Sequence, residues 1–281
     1  MKRLQYENIF WISLIHLGAI AAIPFFSWTA LAICLTLLFS VSAIGINMTY
    51  HRLLTHRGFK VPQWFEYVLA TIAATSGQGP MLLWVAEHRL HHRYSDTELA
   101  PHSPKQGFWH AHITHLFWHK QFEDEPDRWM KYVPDLNGHA YYRFLSKYAA
   151  VFVAIPAVLL YLWGGIPYVL WGVFMRITLM WHITWSVNSA CHTWGYQTFK
   201  TNDTSRNLWW VGYLGAGEGW HNNHHAHPTS ASHGRTFWEF DQTYLMIRTL
   251  KLLGLASDIK TGVLEAIPSD SLSPSLEPEH A

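Results

Sequence analysis

Residues 9–50 read IFWISLIHLGAIAAIPFFSWTALAICLTLLFSVSAIGINMTY, and no Lys, Arg, Asp or Glu occurs among them. Within this stretch, residues 9–26 and 29–50 are two apolar runs joined by a short turn around Ser27 and Trp28. A second pair of apolar runs covers residues 148–163 and 166–187, with Gly164 and Gly165 between them. Each run approaches the roughly 20 residues that a helix needs to cross a bilayer. The sequence therefore predicts an all-α integral membrane protein with four transmembrane helices in two hairpins.

The distribution of basic residues favours membrane spanning over the alternative, the buried core helices of a large soluble protein. Of the 20 Lys and Arg residues, 2 precede residue 10, 11 lie in residues 51–147, 1 is Arg176 and 6 follow residue 190. By the positive-inside rule, both termini and residues 51–147 face the cytoplasm. Residues 51–147 and 190–261 then form one helical cytoplasmic cap, and residues 1–261 form a single domain. The Ser-, Pro- and Glu-rich tail, residues 262–281, is expected to be disordered.

Two apolar stretches need a separate interpretation. The first run follows basic residues but no small-residue cleavage site follows it, so we expect a retained anchor rather than a signal peptide. Residues 67–85 are also apolar, but Gly77, Gly79 and Pro80 interrupt them. An even number of crossings must separate His groups that share one site. We therefore expect residues 67–85 to form an interfacial or re-entrant segment.

Histidine is the outlier of the composition, with 20 residues in a chain of 281. The formal net charge of +1 lacks the basic excess that is typical of nucleic-acid-binding domains, so no nucleic-acid partner is expected. The two Cys are too few for a disulfide framework. Neutral imidazole is a common ligand of transition metals, so the His content points to a metal site.

Three groups of His stand at the predicted cytoplasmic ends of the helices: HRLLTH at residues 51–56, HRLHH at residues 88–92 and HNNHH at residues 221–225. In the last two groups the offsets 0, +3 and +4 place three imidazoles on one helical face. Two such faces brought together could enclose a pair of metal ions. In the first group an offset of five turns the rings about 140° apart on an ideal α-helix. That group needs a helix end or a kink, or its two His bind different ions.

His192 is an additional candidate, because Asn188 lies four residues earlier on the same helical face. Imidazole binds Fe, Zn, Cu and Ni alike, so the spacing does not name the metal. A single His is usually a hydrogen-bonded core or surface residue, and we expect this of those outside the three groups. Among them, His16 and His182 are expected to bond a neighbouring helix, and an amphipathic helix is expected to carry His112, His115 and His119. His102, His139, His227 and His233 are expected to be structural.

The boxes HxxxxH, HxxHH and HxxHH, in that order, resemble those of membrane fatty acid desaturases, and within them the Δ9, stearoyl-type group. The supporting strings are HRLLTHR at 51–57, EHRLHHRYSDT at 87–97, NSACH at 188–192 and GEGWHNNHH at 217–225. The similarity extends from the first apolar run to about residue 255. It implies an oxidoreductase that uses O₂ and two iron ions to insert a cis double bond, at Δ9, into a saturated long-chain acyl group carried by CoA or by a lipid.

Carried over by position, the resemblance implies ten metal ligands, with the Asn acting through a water: His51, His56, His88, His91, His92, His192, His221, His224, His225 and Asn188. The positions that match the bend in that family's acyl tunnel are Gln78, Trp84, Thr184 and Trp185. Arg176 matches an intramembrane Arg, for which a paired role is expected.

The region around the second box departs from the animal acyl-CoA enzymes of the family. Ala86 and Gln106 stand where those enzymes carry basic residues, whereas Arg89 and Lys105 are retained. Arg89 is thus a predicted substrate-binding residue, but recognition of a CoA thioester is in question. The string HGRTFWEFD at residues 233–241 is more similar to bacterial and cyanobacterial members, some of which act on membrane lipids. A bacterial inner membrane is therefore the expected location.

No GxGxxG or other nucleotide-binding motif is present, so the electrons must come from a partner such as a ferredoxin or a cytochrome b5-type protein. One rival interpretation is a membrane hydroxylase of the alkane-hydroxylase kind, which has similar His boxes and leaves oxygen in the product. Another is a His-rich metal transporter, which would hold its ligands at mid-membrane depth. The string GEGWHNNHH and the tunnel positions favour desaturation over both.

Overall fold

The computed structural model describes residues 3–97, 100, 102–119 and 126–262. Within these ranges it contains helices and isolated β-bridges but no strands, as the predicted all-α class requires. The predicted disordered tail lies outside the described residues from residue 263 onward. The helices are α1 (Tyr6–Ala22), α2 (Trp28–Ser40, continued by a π-helix over Val41–Thr55), α3 (Gln63–Ala74), α4 (Met81–Tyr94), α5 (Phe108–His112), α6 (Pro126–Met130), α7 (Pro134–Asn137), α8 (Ala140–Lys147), α9 (Ala149–Val169), α10 (Arg176–Ser189, preceded by a π-helix over Leu170–Met175), α11 (Trp209–Leu214), α12 (His221–Ala226) and α13 (Gln242–Leu252).

Three helical stretches of the described chain are long and apolar enough to cross a membrane: Tyr6–Phe25, Trp28–Thr55 and Ala149–His192. The third has 44 residues, and a straight helix of that length would measure about 66 Å, twice the hydrocarbon core. It is not straight, because Gly164 and Gly165 leave helical geometry and Gly165 takes a φ of +70°. A Cβ on Gly172 would lie 2.6 Å from Leu160 Cδ1, so the two arms fold back on each other. The third stretch is therefore a helical hairpin.

The four apolar arms pack through one shared cluster. Ile15 of α1, Ile33 of α2, Leu160 of α9 and Trp185 of α10 are all buried in it. The opposite faces are open: Leu17 is 63% exposed and Leu162 is 75% exposed. Exposed apolar area of this kind is costly in water, at about 25 cal/mol per Å².

The π-helix over Val41–Thr55 contains His51, His56 caps its C-terminal end, and its side chains are almost all buried. Its hydrogen bonds join residues five apart, such as His56 N to His51 O at 3.1 Å. Two hydroxyls bond carbonyls at the same spacing: Thr49 Oγ1 donates to Ile44 O and Thr55 Oγ1 donates to Tyr50 O. π-helical turns are rare in proteins, and those that occur often lie at functional sites.

Residues 67–85 do not form one continuous helix. They are divided between α3, of 12 residues, and α4, of 14 residues, each shorter than a membrane span requires. Gly77 and Gly79 lie in the break with φ values of +74° and +83°, which a side chain would oppose. Arg176 Nη2 and Trp181 Nε1 donate to the carbonyls of Thr75 and Gly77, so α10 holds the break in place.

Candidate metal centre

Five imidazoles from three segments of the chain converge in a first group. His51 lies in the π-helix and His56 directly follows its last residue, His88 and His92 lie in α4, and His224 lies in α12. One nitrogen of each lies within 4.8 Å of all the others. The π-helix explains how an offset of five brings two rings together, because residues i and i+5 are hydrogen-bonded neighbours on successive turns. The ring centroids of His51 and His56 are 4.8 Å apart.

Four more imidazoles form a second group beside the first: His91, His192, His221 and His225. Each HxxHH motif is divided between the two groups. In α4 the i and i+4 residues enter the first group and the i+3 residue enters the second, whereas in α12 the division is reversed. Thus α4 and α12 each contribute to both groups. All nine His of the predicted ligand set lie in these two groups.

The nitrogen geometry of both groups fits a bound cation. Nε2 of His224 lies 3.1 Å from that of His51 and 2.9 Å from that of His92, and the Nε2 atoms of His192 and His221 are 3.1 Å apart. Two nitrogens held at right angles, each about 2.0–2.1 Å from one metal, would be about 3 Å apart. Several ring nitrogens of the two groups are buried without any hydrogen-bond partner: His56 Nε2, His91 Nδ1 and Nε2, His221 Nδ1, His224 Nδ1 and His225 Nε2.

Three carboxylates stand behind three of these rings. Glu218 Oε2 lies 2.5 Å from His51 Nδ1, Asp203 Oδ2 lies 2.6 Å from His225 Nδ1, and Asp96 Oδ1 lies 3.4 Å from His192 Nδ1, which also contacts Thr204 Oγ1 at 3.2 Å. A ring that donates a hydrogen bond from its Nδ1–H keeps the lone pair of Nε2 free to face the group. Lone pairs that converge on one point repel each other unless a cation lies between them. The arrangement is therefore suited to metal binding.

The electrostatics of the groups keep the imidazoles available as ligands. Burial, followed by the charges of neighbouring imidazoles, lowers the pKa of His88, His92 and His224 well below the ordinary value. The same causes act on His91 and His221. These rings hence remain neutral at physiological pH, which is the form that binds metal.

The pKa values of the three carboxylates are lowered as well, and for an acid this favours the charged form. Burial alone would raise the pKa of Asp96, but hydrogen bonds and charge from His192 and Thr204 outweigh it and lower the pKa to about 2. The pKa of Asp203 falls well below its ordinary range for the same kind of reason, with His225 as the main partner. The pKa of Glu218 falls as well, because the charges of His51, His233 and Arg52 outweigh its burial. All three stay ionised and place negative charge behind the imidazoles.

An apolar cavity of about 630 Å³ reaches the two groups. His51, His88, His221 and Asn188 line it beside the metal centre. Its walls also contain all four predicted tunnel residues, of which three are linked: Trp84 Nε1 donates to Gln78 Oε1 at 2.8 Å, and Gln78 Nε2 donates to Thr184 Oγ1 at 2.9 Å. The fourth is Trp185. The cavity therefore leaves room for an apolar ligand next to the His groups.

Comparison with known proteins identifies the family. The model of the fatty acid desaturase family matches residues 26–251. The chain belongs to the fatty acid desaturase family. This desaturase is 43% identical over 258 residues to the sn-2 palmitoyl-lipid 9-desaturase of Nostoc sp. (strain 36), an alignment that covers 92% of this chain and 90% of the relative.

Two further relatives show how the family's substrates vary. The sn-1 stearoyl-lipid 9-desaturase of Anabaena variabilis is 42% identical, over 92% of this chain and 94% of the relative. The acyl-CoA C20 Delta5-desaturase of Anemone leveillei is 43% identical, over 90% of this chain and 81% of the relative. This chain is accordingly an oxidoreductase of the desaturase class, and neither a hydroxylase nor a metal transporter is favoured.

Two arginines of the desaturase have hydrogen-bond partners that the sequence did not reveal. Arg89 is not among the cavity-lining residues, and its guanidinium donates to both carboxylate oxygens of Asp135 and to the carbonyls of Leu54 and Tyr132. Arg176 is buried in α10 and donates to the carbonyls of Gly172 and Thr75. One of these carbonyls belongs to the π-helix that precedes α10, and the other lies at the break after α3.

Sequence reasoning missed the residues that stand behind the imidazoles. Arg52, 1% exposed, donates to Glu218 at 2.9 Å and to Asp241 at 2.8 Å. His233, expected to be structural, forms a third candidate group with His51 and Glu218. Arg52 Nη2 lies 3.2 Å from His233 Nδ1, and this fixed positive charge opposes a cation there. Asp96 and Glu218 stand inside the quoted strings EHRLHHRYSDT and GEGWHNNHH, which is the signal that could have identified them.

Proposed function

We propose that this desaturase inserts a cis double bond, at Δ9, into a saturated long-chain acyl group that is carried by a membrane lipid. The single observation that carries the proposal is the apolar cavity that runs past Gln78, Trp84 and Thr184 to the two His groups. The names of two relatives, both lipid 9-desaturases, support the position and the carrier. Acyl-CoA is the alternative carrier, and the name of a third relative supports it.

Two features of the chain favour a lipid over CoA. Arg89, the retained basic residue, is already bound by Asp135 and by backbone carbonyls, so it is not free to bind phosphate. The cavity also touches the N-terminal ends of two apolar helices, next to the proposed cytoplasmic cap, at Trp11 and Ile12 of α1 and at Ala150 of α9. A lipid acyl chain could enter there from the bilayer without crossing water.

Two iron ions are proposed for the two His groups, one in each, with Asn188 acting on the second through a water. When bound, they would supply the O₂-activating chemistry that removes hydrogen from an unactivated methylene. The first group would hold one ion through five imidazoles and the second would hold the other through four. Asp96, Asp203 and Glu218 keep the ligand nitrogens oriented and offset the positive charge.

The remaining residues position the acyl chain and exclude water. The hydrogen-bonded series Trp84–Gln78–Thr184 satisfies its own polar atoms, so a bend can be built in an otherwise apolar wall. A bent wall admits a chain in one register and holds a fixed pair of methylenes beside the His groups. This accounts for a single double-bond position.

The chain is proposed to cross the membrane four times as a single domain, residues 1–261, with both termini and the His groups in the cytoplasm of a bacterial cell. The proposal is supported by three apolar stretches of spanning length, of which the third is folded into a hairpin, and by the distribution of Lys and Arg. The lipid-facing sides would be the exposed faces of α1 and α9. A ferredoxin or a cytochrome b5-type protein would deliver electrons to the cytoplasmic cap.

The test is expression in a desaturase-deficient host, with fatty acid methyl esters analysed by mass spectrometry that locates the double bond. A Δ9 product in the lipid fraction is expected. His224→Ala should abolish the product while the protein still accumulates in the membrane, whereas His119→Ala, outside both groups, should not. A hydroxylated product, or full activity of His224→Ala, would contradict the proposal.

A further inference from the structure

Three imidazoles that belong to neither of the two His groups form a hydrogen-bonded series. His16 Nδ1 lies 2.7 Å from Ile12 O, and His16 Nε2 lies 3.1 Å from His182 Nε2. His182 Nδ1 lies 3.0 Å from His112 Nε2, and His112 Nδ1 lies 2.9 Å from Ser189 Oγ. The series joins α1 to α10 and α10 to α5. It will be called the imidazole chain: His16, His182 and His112.

The carbonyl at one end sets the direction of every hydrogen bond in the imidazole chain. Ile12 O can only accept, so His16 Nδ1 carries the proton and His16 Nε2 accepts from His182 Nε2. With one proton on each ring, His182 Nδ1 then accepts from His112 Nε2. The Ser189 hydroxyl donates to Trp185 O at 2.8 Å, and its oxygen lies 2.9 Å from His112 Nδ1. Each ring nitrogen is used once. The three rings are therefore held in fixed orientations.

All three rings of the imidazole chain pack around one indole. The His16 ring is stacked on Trp185, with planes 12° apart and centroids 6.3 Å apart. His182 and His112 meet the same indole edge-on, at 5.2 and 5.8 Å. Trp181 stacks on it at 5.5 Å. Trp185 is 7% exposed and forms part of the cavity wall.

We propose that the imidazole chain positions Trp185, and that the stacked ring of His16 thereby sets the width of the cavity and the length of acyl chain that it accepts. The inference rests on the proposed function only in assuming that the ligand of the cavity is an acyl chain. His16, His182 and His112 are positioning residues, since Trp185 stands between them and the cavity. None of them belongs to either His group.

The physical reason is that an indole at a cavity wall needs support from behind. Removing the His16 ring leaves a space beside Trp185 into which the indole can move, and the cavity widens by the same amount. One methylene in an apolar pocket changes discrimination by about 10- to 200-fold. A small movement of Trp185 should therefore change chain-length preference far more than it changes the total rate.

The test compares His16→Ala with two matched variants in the desaturase-deficient host. The expected result for His16→Ala is a fall of about tenfold or more in the ratio between the preferred acyl chain and the chain two methylenes longer or shorter. His16→Phe, which restores an aromatic ring, should bring the ratio back toward that of the wild type. Leu17→Ala is the control, because Leu17 adjoins His16 but is 63% exposed. It should keep the wild-type ratio.

A structural role alone would lower the amount of product without changing the ratio, and that result would overturn the proposal. So would an equal change in Leu17→Ala or a failure of His16→Phe to restore the ratio. A second measurement is independent of turnover: the rise in unfolding midpoint of purified protein with saturated lysolipids of 14, 16 and 18 carbons. His16→Ala should shift the optimum of that series. If the chain-length optimum does not shift, the inference is rejected, even when the enzyme is shown to form a double bond. If the optimum shifts, the inference is supported, even when the enzyme is shown to form a different product.

Discussion

Glu218 has two partners at once, the imidazole of His51 and the guanidinium of Arg52. One carboxylate oxygen faces His51 Nδ1 and the other accepts from Arg52. Arg52 also binds Asp241, so His51, Glu218, Arg52 and Asp241 form one buried series. Because burial disfavours charge, the series is stable only while each member keeps its partner.

Replacing Glu218 tests this series. Glu218→Gln keeps the size of the side chain but removes its charge, so His51 loses its fixed orientation and Arg52 loses one ionic partner. A fall of about 10- to 100-fold in metal affinity is expected, as for other residues that orient metal ligands. Iron content of purified protein by inductively coupled plasma mass spectrometry gives the result.

The control is Asp258→Asn, which removes a carboxylate of an exposed ion pair with Lys60. It should leave the iron content unchanged, because surface ion pairs contribute little. Wild-type iron content in Glu218→Gln would show that the carboxylate does not orient His51.

Single residues were predictable from the sequence only where a short motif carries them. The nine His of the two groups fall within the three boxes and NSACH, and the structure brings all nine together. Asp203 could not be found in this way, because it is 22 positions from His225 along the chain and no fixed spacing links them. The predicted role of Arg89 in substrate binding rests on analogy, and its hydrogen-bond partners Asp135 and Tyr132 are 46 and 43 positions away along the chain, so no local motif indicates them.

At the scale of elements, the sequence predicted where helices lie better than which kind of helix forms. The runs 9–26 and 29–50 largely coincide with the first two apolar stretches, and Gly164 and Gly165 mark the observed turn. The π-helix was not predicted, since a change from i+4 to i+5 bonding leaves no mark in apolar periodicity. The spacing of five between His51 and His56 was its only trace.

Close packing of the π-helix on α3 gives a prediction for Gly45. A Cβ there would lie 2.9 Å from Ala73 Cα, which is backbone and cannot rotate away. Gly45→Val should therefore destabilise the protein by about 1–3 kcal/mol, the usual cost of overpacking. The unfolding midpoint in detergent measures the effect.

Ile20→Val serves as the reference for that measurement, because Ile20 is 63% exposed on α1. Its midpoint should match the wild type. Equal midpoints for Gly45→Val and the wild type would mean that the π-helix and α3 do not approach as closely as described.

For the whole molecule, metal removal should loosen the structure. Several buried nitrogens of the two groups, such as His56 Nε2 and His225 Nε2, have neither solvent nor a hydrogen-bond partner, so a cation is the partner that would satisfy them. At an ion concentration about 100 times its dissociation constant, binding adds about 2.7 kcal/mol of stability. Chelation should lower the unfolding midpoint and Fe²⁺ should restore it.

The same titration on His224→Ala provides the comparison, since that variant lacks one ligand of the first group. Its midpoint should respond less to Fe²⁺. Identical midpoints for chelated and reloaded wild-type protein would contradict a metal role for the His groups.

The proposed topology can be tested with single cysteines, because Cys34 and Cys191 are both buried. Trp163→Cys lies 69% exposed next to the Gly164–Gly165 turn and should react with a membrane-impermeant maleimide in intact cells. Lys200→Cys lies on the proposed cytoplasmic cap and should react only after the membrane is opened. Reaction of both in intact cells, or of the second alone, would reject the four-span topology.

The division of each HxxHH motif between the two His groups has a consequence for assembly. Helices α4 and α12 each supply ligands to both groups, so the first ion to arrive orders the helices that the second ion needs. Loading should then be cooperative: at half an equivalent of iron per site, native mass spectrometry should find mostly empty and doubly filled molecules. Singly filled molecules should be scarce.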